Sequence, residues 1–127
     1  MVTWHEIVRR IFNNIQDIYI NCGKCTSPNE CIDEFPLTTP TDITVFKDCC
    51  ACILGQVMED INEVKEIYIP IEDSMITLYK IDDVLIEISE DTAVVIPLDK
   101  VEDFIEMIRD MGYENIDKII QFIEGTR

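Results

Sequence analysis

The chain predicts an α+β fold: one domain over residues 1–127, a central antiparallel sheet with flanking helices in the order α-β-β-α-β-β-β(-β)-α-α. Three observations carry this expectation. Apolar residues recur three and four apart near both ends and around residues 48–61, the signature of helices with one buried face. Residues 66–98 instead show short β-branched runs separated by acidic turn residues. With 47% of its 127 residues apolar and no Gly/Ser or Pro-rich linker, the chain is long enough for one ordinary core.

The first helix opens at Thr3-Trp4-His5-Glu6, which has the S/T-x-x-E form of a capping box. Trp4, Ile7, Val8, Ile11, Phe12 and Ile15 form its apolar stripe, and an end is expected near Asn13 or Asn14. The following "QDIYINC" reads as a short strand leading into Gly23, and "CIDEF" as its hairpin partner. Gly23, Pro28, Pro36 and Pro40, with Ser, Thr and Asn, make residues 22–42 irregular.

Helical spacing returns from Asp48, with Ile53, Leu54, Val57, Met58 and Ile61 as the buried stripe. From Lys65 the period changes. "EIYIPI", "SMITLYKI", "VLIEISE" and "TAVVIPL" read as an antiparallel meander, in which Pro70 and Pro97 belong at edges or strand ends because they donate no ladder hydrogen bond. Asp99 with Glu102 is expected to cap a helix with Val101, Phe104, Ile105 and Ile108 inward and Gly112 as its stop. A final short helix carries Ile116, Ile119, Ile120 and Ile123, closed by Gly125.

Ten basic against 26 acidic side chains give a formal charge of −16, which repels phosphate backbones and disfavours direct binding of DNA or RNA. A basic protein surface is the complementary partner. No apolar run approaches the ~20 residues of a membrane helix, and "MVTWHEIVRR" lacks the basic-then-apolar order of a signal peptide, so a cytoplasmic protein without membrane contact is expected. Abundant isoleucine, scarce glycine and many charged residues also fit a thermophile or an AT-rich genome.

The chemistry concentrates in six cysteines. Cys22-x-x-Cys25 and Cys49-x-x-Cys52 have the form of a paired knuckle, in which four thiolates enclose a tetrahedral ion, and the second pair falls at an expected helix N-terminus. The spacing therefore points to a structural zinc site with Cys22, Cys25, Cys49 and Cys52 as ligands; an iron–sulfur cluster uses the same ligand type. Two other readings compete. Cysteine also serves as a small buried hydrophobe, and disulfides from Cys22, Cys25 or Cys31 to the second cluster suit a thermophile's interior. Cys31 and Cys50 lie outside the zinc pattern. A thioredoxin-like role is disfavoured, because the first pair enters a Pro-rich stretch rather than a strand-to-helix junction.

Other chemistries are poorly provided for. His5 is the sole histidine, and none of Ser27, Ser74 and Ser89 sits in a nucleophile-elbow setting. Four dispersed glycines make neither a P-loop nor a dinucleotide turn. Acid pairs such as Asp82–Asp83 are ordinary turn residues. No catalytic residues are assigned, and a non-enzyme is expected.

The segments "CCACILGQVMEDINEV", "KEIYIPIEDSMITLYKIDDVLIEISED" and "DKVEDFIEMIRDM" together resemble the middle helix, three-strand meander and closing helix of the Roadblock (dynein light chain type) family of profilin-like domains. The resemblance covers residues 1–111 in pattern. It implies a dimeric, non-catalytic platform or regulator for small GTPases and transfers no site residues. The Cys-rich insert, the extra strand "TAVVIP" and the helix at 114–124 depart from the family pattern. The expected function is a dimeric interaction or regulatory module binding a basic protein or small GTPase. The alternative is a zinc-stabilised acidic regulator, cellular or viral, acting on nucleic-acid machinery by surface mimicry.

Overall fold

Thr3, in extended backbone, accepts the Glu6 amide on its Oγ1 and starts α1 (Trp4–Tyr19), as its sequence signature requires. The computed structural model describes residues 2–126 apart from residues 24, 62–64, 72–73, 90 and 113–115, and the side chains of residues 65–75 and 126 lie outside the description. Trp4, Ile7, Val8, Ile11 and Ile15 are buried along α1, and Phe12 is half-buried.

The helix does not stop at Asn14. Asn14 leaves helical geometry (φ −130°, ψ 20°) and its Nδ2 donates to the Arg10 carbonyl at 3.1 Å, so a side chain supports the kink and the chain resumes helix to Tyr19. The strand expected at "QDIYINC" is thus helical at its start. Ile15, Ile18 and Tyr19 continue the three-and-four spacing, and packing of that stripe outweighs the β-branched local preference.

"CIDEF" forms no hairpin strand either. Pro28–Glu34 is a 3-10 helix with proline in its first turn, and it buries Cys31 and then Phe35. One strand comes from "TVFK" instead: β1 (Thr44–Lys47) leads directly into α2 (Asp48–Glu59). In that helix Ile53, Leu54, Val57 and Met58 are buried, followed by Ile61, as the periodicity predicts.

The meander forms as expected, with β2 (Lys65–Ile71), β3 (Ser74–Lys80), β4 (Val84–Ile88) and β5 (Thr92–Pro97) in sequential antiparallel pairing. β1 crosses over to pair with β5 through Thr44↔Val95 and Phe46↔Ala93, giving the five-strand order β1-β5-β4-β3-β2. Pro70 lies on the edge strand β2 and Pro97 ends β5, where a missing donor is tolerated.

Strand alternation divides the core into two layers. Phe46, Tyr79, Ile81, Val84, Ile86, Ala93 and Val95 face α1, α2 and the 3-10 helix. Ile76, Leu78, Leu85, Val94 and Ile96 face α3 (Val101–Asp110) and α4 (Ile116–Thr126). Helices therefore cover both faces of the sheet.

Asp99 does not cap α3. The chain leaves Pro97 through a 3-10 turn at Leu98–Lys100, the N-cap is Lys100, and no side-chain cap bond forms, because a helix entered through such a turn finds carbonyl partners in the backbone. Gly112 does stop α3: its φ of +72° is the left-handed conformation, and its amide donates to the Arg109 carbonyl at 3.1 Å. The last helix continues one residue past Gly125.

Candidate functional site: a triple-disulfide clasp

The chain reverses after α1 through a turn closed by the Cys25 amide donating to the Cys22 carbonyl at 2.9 Å. This turn sets both cysteines against the start of α2, where Cys49 and Cys52 stand one helical turn apart on the same side. The four residues selected by spacing are thus brought together. They line one cleft of about 200 Å³, with Asp48 and Asp91 at its rim.

Their chemistry is not that of a zinc site. Cys22 is bonded to Cys52, Cys25 to Cys49 and Cys31 to Cys50, with Cα–Cα separations of 5.9, 4.7 and 5.3 Å, and no cysteine is free. Zinc requires deprotonated thiolates, and a disulfide sulfur carries neither the charge nor the donor strength. The expected structural zinc on Cys22, Cys25, Cys49 and Cys52 is overturned by this pairing. Among the described residues the one cluster of potential metal donors is Cys31, Glu34 and Cys50, and two of its three sulfur or oxygen donors are spent in the Cys31–Cys50 bond. The competing sequence reading, disulfides between the 22–31 segment and the second cluster, describes the clasp.

The three bonds have unequal surroundings. Cys31 and Cys50 are buried, and Glu34 Oε2 lies 2.6 Å from Cys50 Sγ. Cys22 and Cys25 are buried as well, whereas Cys49 and Cys52 are half-buried and face the cleft. Asp48, the first residue of α2, has φ +53°, an uncommon conformation that aspartate tolerates better than most residues. Its amide donates to the Asp91 carbonyl at 2.9 Å, tying the β4–β5 turn to the cysteine-bearing turn of α2. Nothing in the linear sequence marks Asp48 for this role.

Glu87 also escaped sequence reasoning. It lies in β4 between Leu78 of β3 and Val94 of β5, 8% exposed on the face that packs against α3 and α4. Burial pushes its carboxyl up to about 7. The alternation "VLIEI" was the available signal, because it sets Glu87 on the same face as the buried Leu85.

A second cleft, of about 300 Å³, opens beside the α1 kink between Arg10, Asn14, Asp17, Gln56 and Asp60. His5 stands apart from the clasp, exposed, with Nδ1 3.4 Å from the Leu37 carbonyl. No helix among the described residues is long and apolar enough to cross a membrane. No protein-family model matches the chain, and no curated protein or solved structure matches it.

Proposed function

We propose that the protein is a non-catalytic, disulfide-braced interaction module that dimerises through β1 and presents its acidic surface to a basic protein partner. The observation that carries this reading is the outer edge of β1. Among the described residues the strand pairs with β5 alone and residues 44–47 make no backbone hydrogen bond outside the regular elements, and Val45 is 49% exposed. An edge strand with open N–H and C=O groups and an exposed β-branched side chain is a template for a second strand. A formal charge of −16 then accelerates encounter with a basic surface.

The resemblance to Roadblock domains adds small GTPases as a class of partner, and the sheet covered by helices on both faces is compatible with a profilin-like fold. Three disulfides suit an oxidising compartment or the interior of a thermophile. Sedimentation of the wild type against Val45→Lys tests the reading. A wild-type dimer that Val45→Lys dissociates while its helical content is preserved supports it, and a wild-type monomer at tens of micromolar overturns the dimeric platform.

A further inference from the structure

The two disulfides of the cleft are arranged so that each Cys-x-x-Cys is cross-paired with the other rather than closed on itself. Cys22 and Cys25 are ends of one hydrogen-bonded turn, which holds their Cα atoms within about 7 Å, the range a disulfide spans. Cys49 and Cys52 are one turn apart on α2, also within reach of each other. Every one of the four sulfurs therefore has two neighbours with which it can bond. A reagent enters from the cleft, where Cys49 and Cys52 are the half-buried members.

We propose that Cys22, Cys25, Cys49 and Cys52 form a single thiol–disulfide exchange site that accepts an uncharged dithiol and releases both cross-links for one pair of electrons. The entering thiolate attacks Cys49 Sγ, forms a mixed disulfide there and expels the Cys25 thiolate. That thiolate attacks its turn neighbour Cys22, closing Cys22–Cys25 and expelling the Cys52 thiolate. The reagent's second thiolate then attacks its own sulfur in the mixed disulfide, leaves as a cyclic disulfide and frees Cys49. The two electrons come from the dithiol, its two protons end on Cys49 and Cys52, and one protein disulfide remains in place of two. Attack at Cys52 gives the same product by the mirrored path through Cys22.

The surroundings favour this order of events. Cys49 sits in the first turn of a 12-residue helix, whose positive end stabilises the thiolate that Cys49 becomes when the reagent leaves as its cyclic disulfide. Asp48 and Asp91 at the rim repel anionic thiols, so the reagent is uncharged. The third disulfide is protected: Cys31 is 2% and Cys50 7% exposed, and the Glu34 carboxylate against Cys50 Sγ repels an approaching thiolate. After exchange, Cys31–Cys50 is the one disulfide that still joins residues 22–35 to α2.

The test treats the native, oxidised protein with one equivalent of dithiothreitol per chain, alkylates, digests with trypsin without reduction and maps the linked peptides. Cys31–Cys50 keeps peptide 25–47 joined to peptide 48–65, so peptides 11–24, 25–47 and 48–65 stay in one linked species, and fragmentation that locates its two alkyl groups reads which disulfide joins peptide 11–24. The expected two-electron species carries two alkyl groups, on Cys49 and Cys52 of peptide 48–65. Peptide 11–24 still bonded directly to 48–65, with alkyl groups on Cys25 and Cys49, overturns the relay. Alkylation first at Cys31 and Cys50 overturns the assigned site.

Discussion

The indole Nε1 of Trp4 donates a 2.8 Å hydrogen bond to the carbonyl of Pro36, thirty-two residues away. It fastens the irregular segment, just after the 3-10 helix, to the first turn of α1. Trp4 is fully buried and stacks on Phe46 at 6.3 Å, and Phe35 stacks on the same ring at 4.8 Å, so one aromatic group joins helix, loop and β1. Trp4→Phe keeps most of the apolar contact but strands the carbonyl. It should cost about 1–3 kcal/mol, read as a lower urea midpoint with an unchanged slope. An unaltered midpoint would show that the bond contributes nothing.

The clasp makes a clear prediction about thiols and metal. Protein purified without reductant and unfolded in guanidinium should yield no free thiol, and chelator should leave its melting temperature unchanged. Reduction should lower it. The bonds span sequence separations of 30, 24 and 19 residues, and the chain-entropy model assigns about 3–4 kcal/mol to closing one such loop, less for each overlapping loop after the first. Free thiols in the unfolded, unreduced chain would refute the clasp.

Stability should depend on pH through Glu87. Its folded carboxyl is raised from 4.5 to about 7 by burial, so the folded state holds a proton that the unfolded state has already released. Below about 4.5 both states are protonated and burial carries no ionisation cost. Between about 4.5 and 7 this contribution is lost as pH rises, because the buried group must ionise. At roughly 1.4 kcal/mol per pH unit the loss totals about 3 kcal/mol. Glu87→Gln removes the ionisation and should gain on the wild type from pH 5 to pH 7 and level off by pH 8; a constant difference between pH 5 and pH 7 would contradict a buried, titrating Glu87.

Gly112→Ala isolates a backbone effect. The residue has φ +72°, and a Cβ added there would meet no atom within 4 Å, so the cost is conformational rather than steric. About 1 kcal/mol is expected from forcing alanine into the left-handed region, with Gly112→Asn costing less. Thermal melts of the two variants against wild type should rank wild type, Asn, Ala; equal melts would remove the glycine's role as the stop of α3.

The sequence by itself determined whatever depends on residues close in the chain. The stripes of α1, α2 and α3, the Thr3 cap, the Gly112 stop and the four-strand meander are written in local period and turn chemistry, and each is present. Local pattern also brought Cys22, Cys25, Cys49 and Cys52 together. Tertiary structure decided the rest. "QDIYI" has β-branched composition, yet its first residues extend α1 because Ile15, Ile18 and Tyr19 find a core beside them. "TVFK" is a strand because β5 offers it an edge, which no local signal reveals. Spacing alone could not distinguish a tetrahedral metal site from cross-paired disulfides, since both need four sulfurs within a few ångströms. Their pairing was settled by which cysteine of the turn faces which turn of α2, and Glu87 became a titrating group only when α3 and α4 packed against its face of the sheet.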